Sequence, residues 1–140
     1  MLQTARGDTI TAAELYPLLQ LRVDVFVVEQ ACPYPELDGR DLVPDTVHLW
    51  WQGDDGPAGY LRVLRDGDGY RIGRVCTAKA ARGQGFGALL MTEALAFCAE
   101  AEVVLDAQTY ARDFYARFGF VAEGEPFLED GIEHVTMRRR

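Results

Sequence analysis

The spacing of apolar positions changes several times along this chain, and each change marks a structural element. Thr11-Ala12-Ala13-Glu14 is a capping-box pattern: the threonine hydroxyl can accept from a free helix N–H while the glutamate reaches back. Leu15, Leu18, Leu19, Val23, Phe26 and Val27 follow at helical spacing. They predict a helix with that face inward and with Pro17 bending or delaying its start. Residues 31–44, rich in proline and acidic side chains, read as a long loop. Residues 47–51, 58–65 and 70–77 read as strands, separated by Gly53-Asp54-Asp55-Gly56 and Asp66-Gly67-Asp68-Gly69, which gives an antiparallel meander.

Beyond residue 77 the pattern shifts. Residues 83–99 predict a second long helix with Phe86, Leu89, Leu90, Ala94, Phe97 and Cys98 inward. Residues 103–107 are nearly all apolar, as a central strand would be. A short helix over 111–118 ends at Gly119, which fits the position after the C-cap. Residues 120–123 and 132–137 read as closing strands around Glu129-Asp130-Gly131.

Composition narrows this picture. With 140 residues, 49% of them hydrophobic, the chain can build one core, and a single domain over residues 1–140 is expected. The formal charge of −8 disfavours nucleic acid as a partner, and the terminal Arg138-Arg139-Arg140 is too short to act as a basic arm. No apolar run approaches a membrane span and the N-terminus does not read as a signal peptide, so a cytoplasmic location and no membrane partner are expected. Three cysteines (Cys32, Cys76 and Cys98) at scattered spacings argue against a disulfide framework or a zinc site, and no metal is expected.

The chemistry is concentrated in residues 80–91, AARGQGFGALLM, where three glycines fall within five residues at a helix start. Free N–H groups and the helix dipole favour an anion there, and glycines let a phosphate approach the backbone. Arg82 can add a charge-assisted contact. A P-loop is excluded because no Gly-Lys-Ser/Thr follows. A dinucleotide reading stays open, since Gly83-x-Gly85-x-x-Ala88 fits a loose fingerprint with Asp106 as the ribose-binding acid.

The spacing Arg82-x-x-Gly85-x-Gly87 resembles the R/Q-x-x-G-x-G/A signature of GCN5-related N-acetyltransferases (GNAT). Residues 74–77 look like that family's fourth strand. Gln108-x-x-Ala111-x-x-Phe114-Tyr115, followed by Gly119-Phe120, is similar to its second hallmark, with Gln108 where asparagine is commoner. LRVDVFVVEQACPYPELDGRDL and EDGIEHVTM resemble the ElaA-like subgroup, so the likeness runs from about Leu21 to Met137. The resemblance implies an α/β (α+β) domain: a twisted, mixed, mostly antiparallel sheet with helices on both faces. It implies acetyl-CoA as cosubstrate and a small-molecule or protein amine as acceptor, attacking directly in a ternary complex. A non-catalytic acyl-CoA sensor is the alternative, and a homodimer is left open.

By the same resemblance, the backbone of Arg82, Gly83, Gln84, Gly85, Phe86 and Gly87 would hold the pyrophosphate of coenzyme A. Val75, Cys76 and Thr77 would line the pantetheine arm, with the Val75 backbone facing the thioester carbonyl. Gln108, Phe114 and Tyr115 would complete the coenzyme side, and Tyr115 would protonate the departing thiolate. The base is not fixed by the residues: Glu29, Glu36, Asp38, Asp41, His48 and His134 all qualify, and a water chain could serve. The acidic stretch 36–45 reads either as a solvated face or as an attraction for a cationic amine.

Overall fold

The computed structural model describes all 140 residues. Its first strand, β1 (Leu2–Arg6), has no clear sequence signal, being short and only half-buried. The capping box forms as expected at the start of α1 (Ala12–Val23). The Thr11 hydroxyl accepts from the Glu14 N–H at 3.1 Å, and the Thr11 N–H donates to the Glu14 carboxylate at 2.9 Å. Pro17 lies inside the helix without ending it, and the chain continues through wider π-type turns over Asp24–Glu29. Leu18 turns inward as predicted, but it is buried with Leu21, Arg22 and Val25, while Leu15, Leu19, Val23, Phe26 and Val27 are only half-buried. Arg22 is the reason: it is fully buried against carboxylates, so the helix is rotated toward a charged residue that a hydrophobic pattern assigns to solvent.

The remaining elements are β2 (Val47–Gly53), β3 (Gly56–Asp66), β4 (Gly69–Thr77), α2 (Phe86–Cys98), β5 (Val103–Gln108), α3 (Arg112–Ala116), β6 (Val121–Glu129) and β7 (Ile132–Arg139). The strands form one sheet in the order β1-β2-β3-β4-β5-β7-β6. Every neighbouring pair is antiparallel except β4 and β5. That parallel pair matches only at Tyr70–Val103 and Arg71–Val104, after which the strands diverge. The main core lies between the sheet and α2, around Leu61, Val63, Ile72, Leu90, Met91 and Met137. A smaller one lies under α1, around Leu18, Trp50 and Tyr60. The expected mixed sheet with helices on both faces is therefore present. Two details differ: Met91 is buried, whereas Phe97 is 45% exposed and rests edge-on against Tyr70. β6 also runs beyond residue 123, because a bulge between Glu123 and Phe127 absorbs Gly124 and Pro126.

The acidic loop is not a solvated face. Glu36 and Asp41 are buried beneath it. Glu36 takes hydrogen bonds from Arg22 and from Arg74, each at 2.7 Å. Asp41 takes them from Arg22 at 2.6 Å and Arg62 at 3.0 Å. Asp38 pairs with Arg62 and, at 3.5 Å, with Arg74. Arg74 itself has φ +56°, inside a bulge of β4 where the register with β3 shifts between Tyr60 and Arg62. For a side-chain-bearing residue that backbone is strained, and the ion pairs hold it in place.

Removing one partner from a buried ion pair costs about 3–5 kcal/mol. Glu36→Gln should therefore lower the unfolding free energy by about 3 kcal/mol in urea titrations, since Arg22 and Arg74 each lose one of two carboxylate partners; a change within error would dismiss the network as a stabilising unit. Stability should also fall in acid. Burial pushes the Asp38 and Asp41 carboxyls up, but the arginines beside them outweigh it and hold both below the usual range. Their contribution is full above about pH 4, where an unfolded aspartate titrates, and is lost as pH drops through the depressed folded values.

Candidate active site

The divergence of β4 from β5 opens a cleft of about 1210 Å³. One bank carries Val75, Cys76 and Thr77 from β4, then Arg82, Gly83, Gly85, Phe86 and Gly87 from the turn into α2. The other bank carries Gln108 at the end of β5, with Phe114 and Tyr115 on α3. Glu29, Gln30 and Tyr34 close one side, and His134 on β7 stands at the far end. The sequence motifs thus converge on a single cavity. Gln84 does not line it, and neither does His48.

The glycine turn has the geometry an anion requires. Gly83 and Gly85 have φ +82° and +81°, and an added Cβ at either would meet nothing within 4 Å, so the backbone faces open space. No backbone N–H from Arg82 to Ala88 donates to another group of the chain. These donors and the dipole of α2 point the same way. Arg82 is engaged differently from the expectation. Its guanidinium grips both oxygens of Glu29, at 2.7 and 2.8 Å, and donates to the Thr77 carbonyl at 3.3 Å. The hydrogen bond from Arg82 holds the Glu29 carboxyl below its usual pKa, which makes Glu29 a weak candidate for the base.

Tyr115 is packed edge-on between Phe114 and Phe120, at 5.1 and 6.3 Å between ring centroids. Its hydroxyl makes no hydrogen bond within the chain although the residue borders the cleft. Burial pushes the phenol above its ordinary pKa, so it stays protonated at neutral pH. The same effect raises the Cys76 thiol to about 12, leaving no thiolate to act as a nucleophile. Cys32 is buried with its sulfur 3.2 Å from the Asp130 carbonyl.

The candidate bases separate cleanly. His48 lies fully buried behind the loop; its Nε2–H donates to the Asp41 carbonyl at 2.9 Å and its Nδ1 accepts from the Tyr60 hydroxyl at 2.6 Å. Both nitrogens are occupied, burial lowers its pKa, and it does not reach the cleft, which corrects its placement among the bases. Glu36, Asp38 and Asp41 are committed to arginines. His134 differs: its Nδ1–H donates to the Ile132 carbonyl at 2.7 Å, and the ring stacks on Phe127. That bond fixes the tautomer and leaves the Nε2 lone pair unspent.

Two features escaped sequence reasoning. Gln30 and Gln108 face each other across the cleft with reciprocal amide bonds of 3.4 and 3.2 Å. Arg22, Arg62 and Arg74 converge behind the β4 bulge from three separate elements, and no local spacing signals that meeting. The dinucleotide reading fails on Asp106. Its carboxylate accepts from Arg71 at 3.0 Å and from the Thr136 hydroxyl at 2.7 Å, and β4 is joined to its predecessor by a hairpin.

A family model described as "Acetyltransferase (GNAT) domain" matches residues 22–140. The UPF0039 protein Rv2851c of Mycobacterium tuberculosis is 50% identical over 135 residues, covering 93% of this chain and 86% of that protein. Protein ElaA of Escherichia coli is 43% identical over 145 residues, covering 98% and 94%. The crystal structure of an acyl-CoA N-acyltransferase from Pseudomonas aeruginosa superposes with a TM-score of 0.94 at 45% identity, covering 100% of this chain and 99% of that one.

Gly85→Ala would force a left-handed backbone on a residue with a Cβ, at a cost of about 1 kcal/mol, and would place that Cβ in the space before the free N–H groups. Calorimetry is expected to show affinity for coenzyme A falling at least about tenfold while the thermal midpoint moves by only a few degrees.

Proposed function

Because the chain belongs to the GNAT acetyltransferase family, we propose that it transfers an acetyl group from acetyl-CoA to a primary amine by direct attack in a ternary complex. The observation that carries this reading is the continuity of one cleft. A turn of unpartnered N–H groups opens into the gap between β4 and β5, and at the end of that gap stands Tyr115 with its hydroxyl unbonded. These residues suit a diphosphate followed by a thin, amide-bearing arm, so the coenzyme fits what is present.

When bound, acetyl-CoA supplies the activated thioester; the protein supplies position and protons. The free N–H groups from Gly83 to Ala88 take the diphosphate. The bulge at Arg74 turns the β4 backbone at Val75 toward the cleft, where a donor can stabilise negative charge as it develops on the carbonyl oxygen. Tyr115, kept protonated by burial, is the acid for the departing sulfur. His134, with Nε2 unspent, takes the proton from the amine on the acceptor side. The Cys76 thiol, at a pKa of about 12, is excluded as an acyl carrier, which favours transfer without a covalent enzyme intermediate.

The test is release of free thiol from acetyl-CoA against a panel of primary amines, small molecules and lysine peptides alike. Tyr115→Phe is expected to lower kcat about a hundredfold with acetyl-CoA binding preserved. His134→Gln is expected to lower kcat at least about tenfold with acetyl-CoA binding preserved. Coenzyme binding with no amine-dependent thiol release from any acceptor would point instead to an acyl-CoA sensor.

A further inference from the structure

Residues 29–32 cross the cleft and are fastened to three different elements. Glu29 holds Arg82 at the glycine turn, Gln30 holds Gln108 at the end of β5, and the Cys32 sulfur meets Asp130 at the turn between β6 and β7. The outer two contacts join groups that the cleft walls already position. The middle one is different. Gln30 and Gln108 are both part-buried, both line the cleft, and each satisfies the other's primary amide through a reciprocal pair. At 3.4 and 3.2 Å these bonds are longer than the ordinary 2.9–3.0 Å of an N–H···O contact. The pair is therefore loosely held and lies between the phosphate-binding turn and the gap that leads to Tyr115.

We propose that Gln30 is a positioning residue for the pantetheine arm of the cosubstrate, exchanging its amide pair with Gln108 for bonds to the arm's own amides. The inference rests on the coenzyme reading of the cleft given above. A secondary amide offers the same donor and acceptor as the glutamine it displaces, so hydrogen bonds are exchanged without leaving a buried polar group unmet. The two side chains come from elements 78 residues apart in sequence and meet only here, so the pair can part without disturbing either backbone ladder. Glu29, adjacent in sequence, ties the same segment to the diphosphate turn, so both ends of the arm would be registered against one stretch of backbone.

Calorimetry with two ligands tests this. Acetyl-CoA carries the arm; adenosine 3′,5′-bisphosphate lacks it. In Gln30→Ala and in Gln30→Asn, whose side chain is too short to span to Gln108, acetyl-CoA affinity is expected to fall about tenfold. Affinity for the bisphosphate should stay within about twofold of the parent protein. An unchanged affinity for acetyl-CoA in both variants, or a parallel loss for both ligands, would overturn the proposal and leave Gln30 as a structural clip. Failure of the parent protein to bind either ligand would instead overturn the coenzyme reading, and with it this inference.

Discussion

The fold is organised around a buried exchange of charge. Arg22 from the first helix, Arg62 from the third strand and Arg74 from the fourth meet Glu36, Asp38 and Asp41 from one loop. Such groups gain little net energy over an apolar filling, because desolvation offsets much of the attraction. What they enforce is geometry. A guanidinium with no access to solvent tolerates few arrangements of its partners, so the loop has one place to lie. Glu36 carries the consequence to the site: it is shared between Arg22 in the interior and Arg74 at the strained bulge, and the next residue, Val75, borders the cleft.

A second constraint acts through the sheet. The parallel pairing of β4 and β5 lasts for two residue pairs, then the strands part. A separated strand pair would normally leave backbone groups unmet or filled by side chains. Here the gap is part of a cavity that runs from the glycine turn to His134. Burial works selectively along that cavity. It holds a phenol and a thiol in their protonated forms, while the exposed Glu29 remains a carboxylate against Arg82. One environment thus keeps a phenol and a thiol protonated, and the His134 ring at its far end keeps its Nε2 lone pair free.

The sequence disclosed these parts unequally. Strands separated by Gly-Asp turns and helices opened by a capping box or a glycine turn were legible because their signals are local. The glycine turn was legible for the same reason: its left-handed backbone favours glycine, and Gly83 and Gly85 take it up. The charged side of the fold was not. Its acidic loop looks solvated in one dimension, because each carboxylate finds its arginine tens of residues away, as Glu36 finds Arg74. His48 misled for a related reason. An alternating strand predicts which residues share a face, but not that a loop will cover that face and engage both ring nitrogens. Likewise the pairing of Gln30 with Gln108 is visible only once two residues far apart in sequence stand opposite each other.

The bulge in β6 has a bearing on how copies of this chain meet. Outermost strands offer a free ladder of donors and acceptors to any extended segment, and nine residues of such a ladder would invite indiscriminate addition. Pro126 withholds one N–H, Gly124 at φ +77° kinks the rail, and Glu125 and Glu129 set like charges along it. The interruption that hid half of this strand from periodicity is thus also a guard against fibrous stacking.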